Sequence, residues 1–194
     1  SAYHVSNYAR NAGTLNGSCM KYDECQDFID FYAFTDGIRL IQAVNDVGKV
    51  IGRAVVWNNA RFETRAGTSF QATFCDRVYG SPLTTTKILD YAKSQGYITK
   101  EHQNYGDTHT FSMPNGESIT ATIRFQFAPY TAALPYMDTF KTGGLVTALA
   151  GDYMVISNDH EFDYELTDTS GNYIGKERKW SEWHDRYLDE DDAI

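Results

Sequence analysis

The sequence predicts an α+β fold, an antiparallel sheet with helices packed on it, followed by a β-rich second half. Three observations predict it. Residues 22–97 read helix, strand, strand, strand, helix. Residues 108–127 form a hairpin with strict side-chain alternation. Aromatic residues reach 14% in a chain that is 42% hydrophobic and 22% charged, ordinary globular usage weighted toward a β-rich interior. Residues 1–100 are expected to form an α+β core and 101–175 a β-rich extension of the same domain. Residues 176–194 read as an acidic, aromatic tail, and 194 residues suit one domain at roughly 150 residues per domain.

From Tyr22 to Phe34 the apolar residues Phe28, Ile29, Phe31 and Tyr32 recur at helical spacing, with Asp23 as N-cap and Gly37 just past the end. Ile38–Val44 is a short β run, Asn45-Asp46-Val47-Gly48 has turn chemistry, and Lys49–Trp57 is a second run. A third strand is expected over Phe70–Tyr79, with Phe70, Ala72, Phe74, Asp76 and Val78 on one face. After Gly80-Ser81-Pro82 a helix is expected from about Thr84 to Gln95, capped by its threonines, with Ile88, Leu89 and Ala92 as its apolar stripe and Gly96 at its end. Pro114-Asn115-Gly116-Glu117 then joins Thr108–Met113 to Ser118–Phe127. In the latter, Ile119, Ala121, Ile123, Phe125 and Phe127 face one way, and Thr120, Thr122, Arg124 and Gln126 the other. Further runs stand at Tyr153–Ser157 and Phe162–Leu166, with a turn over Asp168–Asn172. From Lys176 the pattern fades.

Lys+Arg number 17 against 26 Asp+Glu, a net charge of −9, which counts against nucleic-acid binding because neutralising phosphates needs clustered cations. No apolar run approaches the ~20 residues of a membrane helix. Ser1-Ala2-Tyr3-His4 shows no charged region followed by an apolar segment, so no signal peptide is expected there. Cys19, Cys25 and Cys75 lack zinc spacing and read as free thiols, so a cytoplasmic location is expected.

Cys19, in Gly17-Ser18-Cys19-Met20, precedes a helix whose dipole would favour a thiolate, and His109 or His102 would be the base of a Cys-dependent hydrolase. The bland alternative, favoured by the absence of a Cys–His motif, is a small buried apolar side chain. Asp76, with Arg77 beside it, falls among Phe74 and Val78, and a buried carboxylate needs a partner; Arg53 in the preceding strand is the expected neighbour. A structural Arg–Asp bridge is the favoured reading of that pair. Glu161, Asp163 and Glu165, near His160, would line one strand face but lack calcium-loop spacing, so no metal is expected. No phosphate-binding loop is present in the sequence.

Ser18-Cys19-Met20, Gly52-Arg53-Ala54-Val55-Val56-Trp57, Asp76-Arg77-Val78-Tyr79 and Tyr91-Ala92-Lys93-Ser94-Gln95-Gly96-Tyr97 follow one another in an order that resembles a group of uncharacterised bacteriophage-encoded proteins. Pro135-Tyr136-Met137-Asp138-Thr139-Phe140 and the end of the chain look like later elements of the same group. A more distant likeness is to the GNAT acyltransferase core, with Gly48–Gly52, the strand at 70–79 and the helix at 84–95 in corresponding places. That likeness implies acetyl-CoA as cofactor, but Gly80–Thr86 has one glycine where those enzymes carry a glycine-rich pyrophosphate loop. The leading expectation, from the acidic charge, the aromatic-rich tail and the absence of a complete catalytic constellation, is a phage-encoded accessory protein of the host cytoplasm that binds another protein and needs no cofactor. The alternative is a degenerate GNAT-like acyltransferase or Cys-dependent hydrolase. A DNA-mimicking acidic inhibitor ranks third, because the acids are not concentrated along one element.

Overall fold

One kind of turn, used three times, sets the register of the sheet. In a computed structural model the chain is described at residue 15 and over 26–103, 109–128, 146–150, 153–158, 178–181 and 186–189. Strands β1 (Ile38–Val44), β2 (Val50–Thr64) and β3 (Ser69–Cys75) are joined by two of these turns; β6 (Thr110–Ser112) and β7 (Ser118–Phe127) are joined by the third. In each turn a residue donates to and brackets a carbonyl four positions on: Asn45 N to Lys49 O (2.9 Å), Thr64 N to Thr68 O (3.0 Å), Met113 N to Glu117 O (2.8 Å). In each, a glycine one position earlier closes the inner bond: Gly48, Gly67 and Gly116, with φ of 75°, 77° and 88°. Left-handed backbone at that position is the glycine bulge of a three-residue hairpin loop, and only glycine adopts it without strain.

Helix α1 (Gln26–Phe34) precedes β1, and β3 leads through β4 (Tyr79–Gly80) into α2 (Pro82–Ser94) and β5 (Ile98–Lys100). Further on lie β8 (Val146–Ala150) and β9 (Tyr153–Ser157), then a separate hairpin of β10 (Arg178–Ser181) and β11 (Arg186–Asp189). Nine strands form one sheet in the order β1-β2-β3-β5-β6-β7-β9-β8, with β4 added to β2. Because β7 also pairs with β2, the strands β2-β3-β5-β6-β7 close on themselves into a five-membered ring. Every pair is antiparallel except β3–β5, whose parallel crossover runs through α2. The α+β class expected from the sequence is the class found, and β6 to β9 belong to the same sheet as β1 to β3.

The ring interior is aromatic. Phe62, Phe74 and Phe111 meet edge to face at 5.2–6.3 Å between centroids, and Trp57 lies 5.0 Å from Phe125. Phe31 and Tyr32 of α1 close over Trp57 at 6.4 and 6.1 Å. The opposite face of the sheet carries a smaller core, in which Ile88 and Ala92 of α2 pack on Ala54, Val56, Cys75 and Val78. Gly52 permits that approach: a Cβ there would stand 2.5 Å from Thr84 Cγ2.

Four expectations are corrected. The second strand continues past Trp57 to Thr64, because a bulge at Asn58-Asn59 (Asn59 φ 59°) shifts the register by one and returns Ala60 and Phe62 to the core face of Trp57. The third strand stops at Cys75 rather than Tyr79. There Asp76 Oδ1 accepts from Arg77 N (2.6 Å) and Gln103 Oε1 from Val78 N (2.8 Å), so side chains replace the ladder and Val78 falls into the α2 core instead of joining Phe74. The second helix is capped by Ser81 and not by its threonines: Ser81 Oγ accepts from Thr84 N at 3.2 Å, with Pro82, which has no N–H, in the first turn. The same helix ends as expected at Gly96, where Tyr97 N donates to Ala92 O and Gly96 N to Lys93 O. Finally, part of the tail beyond Lys176 is a hairpin, with Trp180 opposite Tyr187. Strands β5 and β8 carried no expectation, and the run Phe162–Leu166 and the turn Asp168–Asn172 lie outside the described residues.

On β7 the alternation holds. Ala121, Ile123 and Phe125 are buried, Ile119 is half-buried, Thr120 and Gln126 are exposed, and the side chain of Phe127 is outside the described set. Thr122 and Arg124 are half-buried because β7 has neighbours on both edges, β2 on one and first β6, then β9, on the other. Where β6 gives way to β9, buried Asn158 fills the seam: its Oδ1 accepts from Ile123 N at 2.7 Å, and Ser157 Oγ donates to Ile123 O at 3.0 Å. Truncating Ile123 to alanine is expected to lower stability by about 2–5 kcal/mol, read as a fall in the urea midpoint with unchanged slope. An unchanged midpoint would place Ile123 outside the core.

Candidate functional site

The strand directions bring four of the five sequence candidates to one end of the ring. Asp76 and Arg77 directly follow β3, and β5 runs parallel to β3, so its last residue Lys100 arrives at the same end. Strand β6 starts back from there just after His109, and Arg53 lies in the half of β2 that extends past Cys75 toward that end. Cys19 lies outside the described residues, so neither of its proposed bases, His109 (half-buried) or His102 (exposed), is placed relative to it.

Around Tyr79 the grouping is tight. Arg53 pairs across β2–β4 with Tyr79, and its guanidinium carbon is 4.9 Å from the centre of the phenol ring. The Arg77 guanidinium carbon is 5.3 Å from the same ring. The negative π surface of the ring attracts both cations, and Tyr79 also packs in a small buried cluster with Leu15 and Val50. Asp76 stands beside this stack. Its backbone N donates to Val55 O (2.8 Å), which places Asp76 opposite Val55 and one diagonal step from Arg53 rather than directly across from it. A diagonal step of about 7–8 Å is within the reach of an arginine. Arg53 and Asp76 are 2% and 4% exposed, so both charged side chains are buried.

Two members of this region were not singled out from the sequence. Lys100 is 3% exposed, a burial that only the crossover through α2 creates, since a three-residue strand is too short to show alternation. Tyr79 was read as the end of a strand; the signal that marks it is its position one residue past the Asp-Arg-Val break. Arg53, Asp76, Arg77, Lys100 and His109 are all held by polar, ionic or ring contacts.

Cys75 is the one cysteine among the described residues, and it is disarmed. Burial, and secondarily the adjacent Asp76 carboxylate, push its thiol from 9.0 up to about 12. A protonated thiol is a poor nucleophile. A raised pKa also means that the folded state holds the proton longer than the unfolded state does. This contribution to stability is therefore complete below pH 9 and lost as pH rises from 9 toward 12. Melting temperatures measured across that range should fall in the wild type and fall less in Cys75→Ala; equal slopes would refute the assignment.

No three His, Cys, Asp or Glu side chains among the described residues are grouped to hold a metal ion, and the acidic run at Glu161–Glu165 lies outside them. No described helix is long and apolar enough to cross a membrane. Within this group Asp76 Oδ1 accepts from Arg77 N, and the Arg53 and Arg77 guanidinium groups both lie over the Tyr79 ring. No family model, curated protein or solved structure matches this chain.

Proposed function

We propose that this chain acts by binding another protein, and that an extended segment of the partner adds to the outer edge of β1. The observation that carries this reading is that edge. Among the described residues β1 pairs with β2 alone, and exposed apolar side chains stand near it along the chain: Phe34 at the end of α1, Val44 at the end of β1 and Val47 on the turn beyond, at 61%, 58% and 84% exposure. An open strand edge presents a row of backbone donors and acceptors, and flanking apolar groups supply the side-chain contacts of strand addition. The resemblance to phage-encoded proteins supports a bacterial host protein as the partner. Of the charged residues first suspected of chemistry, Arg53 and Asp76 are buried, which supports a structural use for that pair. For acyl transfer, the α2 N-terminus would have to receive the cofactor's pyrophosphate, but Ser81 already occupies it, bonding Thr84 N and approaching Thr84 Oγ1 at 2.9 Å.

The test is co-purification from bacterial host cells with the wild type and with a Val44→Lys, Val47→Lys double variant. Both sites are exposed, so the melting temperature should not move. One protein recovered in stoichiometric amount with the wild type and reduced about tenfold with the variant is the expected result, since about 1.4 kcal/mol lost from an interface is tenfold in affinity. Equal recovery on both would overturn it. A rise in wild-type melting temperature with acetyl-CoA would transfer the reading to acyl transfer.

A further inference from the structure

The β6–β7 turn carries, among the described residues, the chain's one Asn-Gly step, Asn115–Gly116, both exposed. Glycine is the residue whose backbone nitrogen is least shielded, because no Cβ stands beside it. An asparagine before it is open to attack by that nitrogen. In the step, the Gly116 nitrogen bonds to Asn115 Cγ, the Cγ–Nδ2 bond breaks, and ammonia leaves with the Gly116 amide proton. Water then opens the five-membered imide to aspartate or isoaspartate.

In the folded turn all the groups involved are engaged. Gly116 N donates to Met113 O at 2.9 Å, so the attacking nitrogen is held toward the turn interior. Asn115 Oδ1 accepts from Glu117 N at 3.0 Å, and Asn115 Nδ2, the leaving group, donates to Glu117 Oε2 at 2.8 Å. Cyclisation requires Gly116 N to leave Met113 O and the Asn115 side chain to swing away from Glu117 onto that nitrogen. The geometry points to Asn115 as a self-modification site that Glu117 guards, reacting only from the opened turn. Its rate then reports the local opening of the hairpin whose second strand closes the ring.

The product does not fit the turn. A carboxylate at 115 loses the Nδ2 donor and faces the Glu117 carboxylate, and isoaspartate adds a backbone carbon to a loop whose length fixes the β6–β7 register. Each event therefore weakens the turn irreversibly and adds a negative charge to a chain already at −9.

The experiment follows the mass gain of about one dalton at Asn115 by peptide mapping in mildly alkaline buffer, for the full chain and for a synthetic peptide of residues 110–121. Two variants are run as both chain and peptide, and melting curves confirm that each chain is folded. The folded wild type should react at least about tenfold more slowly than the peptide, because the reactive population is the opened one. Glu117→Ala should speed the folded chain several-fold without changing the peptide, and Glu117→Gln, which keeps an acceptor oxygen, should stay near the wild-type rate. A folded rate equal to the peptide rate, or a Glu117→Ala chain as slow as wild type, would overturn the proposal.

Discussion

Replacing Asp76 by leucine is expected to destabilise the protein by about 3–5 kcal/mol, and Arg53→Met by a similar amount, because each leaves buried charge without compensation. Both side chains are almost fully inaccessible, so solvent screening cannot soften the loss as it does for surface pairs. The double variant decides how the two act. With Asp76 one diagonal step from Arg53, the two losses should fall short of adding, by an interaction energy of about 0.5–3 kcal/mol. Urea unfolding of the four proteins measures this. Strict additivity would mean that Arg53 is held by Tyr79 and its other contacts, independently of Asp76.

Trp57→Ala should have an effect of the same size, about 3–5 kcal/mol, through a different cause. Trp57 is 1% exposed and joins α1, through Phe31 and Tyr32, to Phe125 of β7, so its removal opens a cavity between the helix and the ring. Trp57→Phe keeps most of that volume and should lose distinctly less. The exposed Val47→Ala is the control and should stay within about 0.5 kcal/mol of wild type. If Trp57→Ala matches that control, α1 does not pack on the ring.

The candidate site was legible in part. Asp76 was found because alternation put a carboxylate among Phe74 and Val78, and Arg53 because it interrupts Ile51, Val55 and Trp57. Charge inside an apolar period is visible in one dimension. The approach of two guanidinium groups to Tyr79 was not, because it requires β4 to return to β2 across a break of three residues. Lys100 was missed for a related reason: its burial depends on a parallel pairing made across the whole of α2.

By itself the sequence determined the local elements: the strand Ile38–Val44 to the residue, the glycine-closed turns at Gly48 and Gly116, the end of α2 at Gly96, and the inward face of β7. Each depends on backbone preference or on side-chain period, which act within a few residues. The tertiary structure decided where those elements stop and what they join. Strand β2 outran its apparent end because a bulge let the far strand β7 pair with Arg61–Thr64, and β3 stopped early because Gln103, far along the chain, took the Val78 amide. Ring closure, the parallel β3–β5 pair and the shared mouth of Arg53, Asp76, Lys100 and His109 belong to the same class. They are fixed by hydrogen bonds and burial between residues distant in sequence, and no local propensity encodes which distant strand will supply the partner.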